Sequence, residues 1–448
     1  MEPLMNNVNF QMSNVDTTIR TRAPSTLAVS RRPHAVSRRD VMRLAAGLGL
    51  SFLLPGLDFR AAQSRGAERP KSLITLWMGG GPSQLETFDP HAGYKISGET
   101  TAIDTKLPGV QVAHLLPHMA EQVHEMCLIR SMVSKEGDHE RGSYLLKTGY
   151  RPDPTLIHPS IGAIVAHELP ASGVEIPQYI SILNAQWRSR GGFLGDDYDP
   201  FKLLDPQKTL QNMKAKVEFP RQTRRLKDLD VVESAFRNRR RIQSDATRHK
   251  QTVERALTMM TSEQLKAFQA EEEPKEVRAA YGETPFGVGC LIARRLVETG
   301  VRSVEVNLDG FDTHAKNFTG QQTQAKIFDP AFAALIHDLK QRDLFDSTVV
   351  LWMGEFGRTP TINAVAGRDH WPTGFSCVVG GGGFRSGLVI GETDPEGKKA
   401  DPVDPIEIHD LYATIFKTLG VEYAKEMTTP IGRPMALCKG KPIDRLLT

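Results

Sequence analysis

An apolar run that stops abruptly at a glycine and an acid constrains the fold of this chain most. Residues 349–353, Val-Val-Leu-Trp-Met, are followed directly by Gly354 and Glu355. A short apolar run without alternation is typical of a strand that is buried on both faces, as strands are in parallel sheets. Because ligands bind at the carboxyl edge of such sheets, the pattern predicts that Glu355 lies where a functional site can form.

Similar apolar runs alternate with stretches of helical periodicity along the chain. We predict strands at residues 72–78, 127–132, 179–183, 300–308, 349–353 and 375–379, and helices at residues 115–125, 159–167, 286–299, 330–341 and 406–419. This alternation predicts an α/β fold with a mostly parallel central sheet covered by helices on both faces. Residues 205–280 are charged and helical in periodicity, so we predict a helical insertion there within a single domain at residues 68–448.

The amino terminus has the pattern of an export signal. Residues 1–36 are polar and irregular, and we predict that they are disordered. Arg38 and Arg39 then precede the apolar residues 44–54, which is the twin-arginine pattern. Since a helix needs roughly 20 apolar residues to span a bilayer, we predict a signal peptide at residues 37–67 and a periplasmic or extracellular protein. The alternative is an uncleaved anchor helix.

Charge and cysteine content exclude two classes of protein. Eight arginines and four acids fall in residues 1–60, which leaves 48 basic and 49 acidic residues in the rest of the chain. This balance gives no support to nucleic-acid binding. The four cysteines are scattered and form no Cys/His cluster of the kind that a structural zinc site uses.

Three predicted strand ends or the loops after them carry acidic and imidazole groups. Asp312 and His314 follow one strand, Glu355 follows the next, and Asp369 and His370 come shortly afterwards. Parallel strands bring such groups to one edge of the sheet. Mixed imidazole and carboxylate ligands suit zinc, manganese or iron, whereas carboxylates alone suit calcium or magnesium. We therefore predict a divalent metal, with zinc, manganese and calcium all left open; the alternative is that each group is structural.

Two further stretches are candidates for the same site. Residues 79–81 are three glycines after the first predicted strand, and they allow the backbone to approach a ligand or another segment closely. Asp138, His139 and Arg141 stand just before a predicted helix, where backbone N–H groups and the helix dipole favour an anion. The alternative is that Asp138 only caps the helix and His139 is exposed.

Four of these stretches resemble a known family. Residues 80–90, 312–314, 354–360 and 367–372 are similar to the secreted bacterial family called domain of unknown function 1501, over nearly all of the chain after the signal. More distantly, the order of elements resembles the alkaline phosphatase and sulfatase superfamily. The resemblance implies a metal-dependent hydrolase of sulfate or phosphate esters, including those of polysaccharides. From the charge balance and the short apolar run we expect no nucleic-acid partner and no transmembrane segment after signal removal.

The resemblance also implies roles for individual residues. The implied metal ligands are Asp312, His314, His370 and Glu355, and Glu355 is alternatively a base. His139 stands where the superfamily has its nucleophile, and Arg358 or Arg141 would neutralise the ester anion. Phe356 stands where the superfamily has a metal-binding histidine, so the resemblance implies one metal ion instead of two. The alternative function is a non-catalytic protein that binds an anionic glycan or a partner in the same cleft.

Overall fold

The computed structural model describes residues 71–170, 173–210, 213, 217–240 and 249–448. The predicted disordered residues 1–36 and the predicted signal peptide at residues 37–67 lie outside these ranges. The strands are β1 (Ser72–Gly79), β2 (Ala102–Asp104), β3 (Gln111–Ala113), β4 (Met126–Val133), β5 (Tyr179–Ile182), β6 (Phe201–Leu203), β7 (Ser303–Asp309), β8 (Thr348–Met353), β9 (Gly357–Arg358), β10 (His370–Trp371), β11 (Phe375–Gly380), β12 (Leu388–Ile390), β13 (Ile406–Glu407), β14 (Glu426–Thr428) and β15 (Pro434–Ala436).

Nine of these strands form one central sheet. Its order is β12-β4-β11-β8-β1-β7-β5-β6, with β13 also paired to β4. The pairs β1–β7, β1–β8, β5–β6, β5–β7, β12–β4 and β13–β4 are parallel, and β11 runs antiparallel to both of its neighbours, β4 and β8. The prediction of a mostly parallel sheet is therefore confirmed.

Both faces of the sheet are buried, which explains why its strands read as continuous apolar runs. Along β1, Ile74 and Leu76 belong to one core cluster, whereas Leu73 and Trp77 belong to the other. Side chains alternate between the two faces of a strand, so the two clusters are the two layers of the core. Helices supply the rest of both layers, and the predicted α/β layer architecture is confirmed.

The helices of the described residues depart from the sequence prediction at several ends. They are α1 (Pro117–Ala120), α2 (His139–Thr148), α3 (Ile161–Glu168), α4 (Phe219–Arg240), α5 (His249–Thr261), α6 (Lys275–Tyr281), α7 (Pro285–Thr299), α8 (Asn317–Gln341) and α9 (Ile408–Leu419). The predicted helix at residues 115–125 is only the four-residue α1 and a 3-10 turn at Val123–Glu125. Helix α8 begins well before Pro330, which lies inside it, so the predicted start at a proline was wrong.

The charged stretch at residues 205–280 contains two of these helices and most of a third. Helices α4 and α5 fall within this range, and α6 begins within it and ends at Tyr281. None of the described helices is both long enough and apolar enough to cross a membrane.

Candidate metal centre

The central strands of the sheet deliver three loops to one edge. Gly79 at the end of β1 pairs with Asp309 at the end of β7, and Trp77 pairs with Met353 at the end of β8. The loops that follow these strands carry the glycines, Asp312 with His314, and Glu355. The three parallel strands therefore bring together groups that are more than 200 residues apart in sequence.

A two-stranded ribbon adds the fourth segment. Strand β9 pairs antiparallel with β10, and this pairing sets His370 opposite Arg358. The loop between them is tied to the loop after β7, because the Arg368 N–H donates to the Thr313 carbonyl at 3.1 Å and the Asn363 side chain donates to the His314 carbonyl at 2.9 Å. His370 is thus held beside His314 by backbone pairing, which sequence spacing does not reveal.

His139 comes to the same place from the start of helix α2. Asp138 caps this helix by accepting a hydrogen bond from the Arg141 N–H at 3.1 Å, as one alternative at the sequence level proposed. His139 is the first helical residue, and its side chain is mostly buried against the cluster instead of exposed. The cap and the site are therefore not exclusive alternatives, because the cap fixes the position from which His139 reaches the site.

Three imidazoles and one carboxylate converge at this edge. The Nε2 atoms of His314 and His370 lie 3.2 and 3.3 Å from Asp312 Oδ1, and they lie 3.0 Å from each other. His139 Nε2 lies 3.3 Å from Asp312 Oδ2. Ligand atoms of His139, Asp312 and His370 all fall within 4.8 Å of one another. Donor atoms bound about 2.0–2.2 Å from a tetrahedral metal are separated by roughly 3.3–3.6 Å. The spacings of 3.0–3.3 Å are close to this range and are compatible with a shared ion.

The other nitrogen of each imidazole faces an atom that can only accept a hydrogen bond. His139 Nδ1 lies 2.8 Å from Glu355 Oε1, and His314 Nδ1 lies 2.8 Å from Asp369 Oδ1. His370 Nδ1 lies 2.7 Å from the Gly137 carbonyl oxygen. Carboxylates and carbonyls accept, so each Nδ1 carries the proton and donates it. This is the arrangement by which proteins orient histidines that ligate metals.

The consequence is a surplus of lone pairs inside the cluster. When the imidazoles are neutral, each Nε2 presents a lone pair to the Asp312 carboxylate, and no proton lies between them. His139 Nε2 is buried and makes no hydrogen bond within the described part of the chain. Lone pairs that face one another at 3.0–3.3 Å repel unless a proton or a metal ion lies among them. Burial lowers the pKa of His139, but contact with Glu355 and Asp312 outweighs burial and raises it, as expected where acceptors surround a site for a cation. The residues present therefore fit a divalent metal ion.

Glu355 lies behind His139 in this arrangement. Its side chain is fully buried, and Oε1 accepts from the Gly80 N–H at 2.9 Å as well as from His139. Oε2 is buried and has no hydrogen-bond partner among the described residues. A Cβ atom at Gly80, where φ is +107°, would lie 2.5 Å from the backbone nitrogen of Asp312. The glycine run therefore lets the backbone contact both neighbouring loops, which was one of the two possibilities at the sequence level.

Arg358 lies behind Asp312. Its fully buried guanidinium donates to Asp312 Oδ1 at 2.7 Å, and its remaining donors go to the carbonyls of Gly80, Gly81 and Arg368. Burial raises the pKa of Asp312, but the hydrogen bond and charge of Arg358, together with His139, outweigh burial and lower that pKa to about 2. Asp312 is therefore an ionised ligand at neutral pH, and this placement favours a positioning role for Arg358 over contact with an ester.

Aromatic rings cover the cluster. Phe356 has its ring centroid 5.0 Å from that of His139 and 4.3 Å from that of His370. Trp187 stacks on His139 with centroids 5.4 Å apart and an angle of 10° between the ring planes. Trp187 follows strand β5, and its position after a predicted strand was the only signal in the sequence. Sequence reasoning missed it because no acid, histidine or glycine motif marks the segment.

The sequence-predicted residues fall into three groups by location. Asp312, His314, His370 and His139 meet one another, whereas Glu355 and Arg358 lie behind them. The Arg141 side chain is largely exposed and lies 3.4 Å from Glu136 and 3.8 Å from Asp138. These contacts join Arg141 to acids near the start of its own helix.

One protein family and several solved structures resemble this chain. The sequence model of the family described as "Protein of unknown function (DUF1501)" matches residues 70–447. No curated protein matches the chain. Solved structures that resemble it include a sulfatase, PsFucS1, from Pseudoalteromonas sp., at 12% identity with 79% of this chain and 68% of that chain covered and a TM-score of 0.38.

Two other similar structures come from different kinds of protein. A lipoteichoic acid synthase, LtaP, from Listeria monocytogenes is 11% identical, with 80% and 74% of the two chains covered and a TM-score of 0.37. A TAB5 alkaline phosphatase mutant with bound Mg is 12% identical, with 79% and 99% covered and a TM-score of 0.35. At these identities and scores, the likeness says nothing about what this chain binds or transforms.

Proposed function

The chain belongs to the DUF1501 family, and we propose that it is an exported hydrolase that uses one divalent metal ion to cleave sulfate or phosphate esters. One observation carries the proposal. Three imidazoles, each with Nδ1 facing a hydrogen-bond acceptor, bring their Nε2 atoms to 3.2–3.3 Å from the Asp312 carboxylate. The proposed ligands are Asp312, His139, His314 and His370.

The donor set bears on the identity of the metal. Three imidazole nitrogens and one carboxylate are typical of zinc or manganese, whereas calcium prefers six to eight oxygen ligands. Besides its four protein ligands, a bound ion of this kind would need a fifth coordination position, where it would polarise an ester oxygen or lower the pKa of a coordinated water.

The residues behind the ligands hold them in place. Arg358 fixes one oxygen of Asp312 at 2.7 Å, and Glu355 fixes the ring of His139 at 2.8 Å through a fully buried carboxylate. Phe356 and Trp187 exclude water from the imidazole faces that they cover. Exclusion of water strengthens electrostatic interactions with a bound ester anion.

Export is the part of the proposal that rests on sequence alone. The twin arginine at residues 38–39 precedes a short apolar run, which is the pattern of a route that carries folded proteins. Export in the folded state would allow the metal to be bound before the protein leaves the cytoplasm.

The test combines metal analysis with a panel of esters. The full chain is purified without chelator, its metal content is measured by mass spectrometry, and turnover of 4-nitrophenyl sulfate and 4-nitrophenyl phosphate is followed. We expect one metal ion per chain and turnover of at least one ester. In His370→Ala and Asp312→Asn, both metal content and turnover should fall. His337→Ala, which removes an exposed histidine of α8, is the matched control and should retain both.

Two results would count against the proposal. Wild-type protein that contains no metal and binds none when zinc or manganese is added would refute the metal centre. One bound metal per chain without turnover of any ester would refute the hydrolase and favour the alternative function, a non-catalytic protein that binds an anionic glycan or a partner.

A further inference from the structure

A cavity adjoins the metal centre on the side of Trp187. Its volume is about 470 Å³, within the range of roughly 300–1,000 Å³ that is typical of ligand pockets. Trp187 lines this cavity and also stacks on His139, so the indole ring belongs to both sites. We call this space the Trp187 cavity. A ligand in it would lie next to the cluster of imidazoles.

Two cations at the Trp187 cavity have no acidic partner among the described residues. Lys147 also lines it, but its ammonium is paired with Glu305 at 3.0 Å, and both side chains are buried. Arg188 and Arg190 line the cavity, and no carboxylate of the described residues forms an ion pair with either guanidinium. Glu140 is the one acidic residue in the described lining. The excess of positive charge favours an anionic ligand.

The segment that carries these arginines is held firmly in place. Ser189, between them, donates a hydrogen bond to Glu305 Oε2 at 2.6 Å. The carbonyl of Arg190 accepts from the Ser160 N–H at 2.9 Å. The Ser160 hydroxyl also donates to the Arg190 carbonyl, at 3.1 Å, and makes no side-chain cap bond to α3. Both guanidinium groups therefore extend from a fixed backbone.

Neutral polar groups in the wall of the cavity also lack partners. The Tyr144 hydroxyl accepts from the His158 backbone N–H at 2.8 Å, so its own hydrogen points to His158 Nδ1, also at 2.8 Å. Burial lowers the pKa of His158 to about 4, so the ring is neutral and its proton is on Nε2. This Nε2 and the Ser143 hydroxyl are buried without a hydrogen-bond partner in the described part of the chain. Both atoms are shielded from solvent, so they belong to the wall of the cavity and do not contact a ligand in it.

These features together identify a class of ligand. We propose that the Trp187 cavity binds a sugar ring that carries an acidic group of its own, in addition to the ester that lies at the metal centre. The indole of Trp187 offers an apolar face to the C–H groups of a sugar ring. Arg188 and Arg190, both exposed in the lining, offer guanidinium donors for a carboxylate or sulfate. The ester at the metal centre rests on the proposed function. Binding of the acidic sugar in the Trp187 cavity does not depend on it.

Binding to metal-free protein tests the cavity separately from catalysis. The full chain is treated with chelator, and glucuronate and glucose are titrated against it by NMR. We expect glucuronate to bind more tightly than glucose. A hydrogen bond to a charged group contributes about 1.5–3 kcal/mol, so Arg188→Ala with Arg190→Ala should weaken glucuronate about ten- to hundredfold and leave glucose unchanged.

Two further variants separate charge from shape. Arg188→Lys with Arg190→Lys keeps both charges and should recover part of the lost affinity for glucuronate. Trp187→Ala should weaken glucuronate and glucose alike, because the stacked ring contacts the sugar and not its acid. Arg278→Ala removes an exposed arginine of α6 and is the matched control, with affinities equal to those of the wild type.

The outcomes distinguish the two proposals. Glucuronate that binds no more tightly than glucose, or that binds equally to the double alanine variant, overturns the cavity proposal whether or not 4-nitrophenyl esters are hydrolysed. Inorganic sulfate that displaces glucuronate at equal concentration would also overturn it, because a bare anion site would then suffice. Arginine-dependent binding of glucuronate by a protein that hydrolyses no ester supports the cavity while the proposed hydrolase fails.

Discussion

Replacement of Glu355 by glutamine tests whether the imidazole of His139 binds a metal. The carboxylate is fully buried, and its Oε1 accepts from the Gly80 N–H at 2.9 Å and from His139 Nδ1 at 2.8 Å. Glutamine has the same shape and can keep both hydrogen bonds through its carbonyl oxygen. The change therefore removes one negative charge from behind His139 and leaves the geometry in place. A less basic imidazole binds a metal ion more weakly.

The structure sets the size of this effect. Changes in groups that orient metal-binding histidines cost about 10–100-fold in metal affinity, which is about 1.4–2.7 kcal/mol. At Glu355 we expect the upper end, because the buried position leaves no space for water to replace the charge. The new amide N–H₂ would also take the position of the buried Oε2, which makes no hydrogen bond to the described residues. A buried N–H donor left without an acceptor there would add a loss of folding stability of about 1–3 kcal/mol.

The assay is a competition for zinc against a chromogenic chelator, with the free energy of unfolding measured in parallel by urea. Glu99→Gln, a change at an exposed glutamate, is the matched control and should retain wild-type affinity. If Glu355→Gln binds one zinc ion within about threefold of the wild-type affinity, against the tenfold minimum expected for an orienting group, then His139 is not a ligand. A variant that is destabilised but binds zinc normally would likewise assign Glu355 to folding alone.

Three more predictions follow from other contacts. Asp369→Asn should weaken zinc binding by about tenfold. The effect should be smaller than that of Glu355→Gln, because Asp369 is exposed and water can replace it beside His314. Unchanged zinc affinity would show that His314 is not a ligand. Arg294→Met should lower the urea-derived free energy of unfolding by about 3–5 kcal/mol, since Arg294 is fully buried among acidic partners, and a loss below about 1 kcal/mol would contradict this. Burial raises the pKa of Asp89, but the hydrogen bond and charge of His91, with help from Arg130 and Thr393, outweigh burial and lower that pKa. The ionised Asp89 therefore stabilises the fold above the unfolded pKa of 3.8, and this stabilisation is lost as pH falls through the folded pKa. Asp89→Asn should therefore be less stable at pH 7 and lose less stability on acidification, and parallel acid-unfolding curves would contradict it.

The sheet was predictable because burial on both faces leaves a strong signal. Strands such as β1 and β8 are apolar along their whole length, and their ends were predicted within one or two residues. Helix α1 was not predictable in the same way, since its periodic residues are divided between a short helix and a turn that pack on the sheet. The long α8 was missed at its start because a proline inside a helix reads as a beginning.

The candidate site was predictable only in part. The acids and histidines of the site could be predicted because they follow strand ends. The direction from which each side chain enters the site could not. Nothing in the sequence around Arg358 distinguishes it from an arginine of a surface loop. Only the pairing of β9 with β10 brings its guanidinium into contact with Asp312. The roles of His139 and Glu355 depend on which nitrogen faces which oxygen, a detail set by contacts between segments over 200 residues apart.

The balance of charge connects the metal centre to the Trp187 cavity. Carboxylates of Asp312, Asp369 and Glu355 contact the imidazoles, and the guanidinium of Arg358 is the one permanent cation bonded to any of them in the described residues. With neutral imidazoles, three carboxylates against one guanidinium would leave two negative charges, which would repel an ester anion. A bound divalent ion would offset this excess, so on the proposed function the metal would bind before the ester. The Trp187 cavity has the opposite excess, and its arginines can hold an acidic sugar whether or not the metal is present.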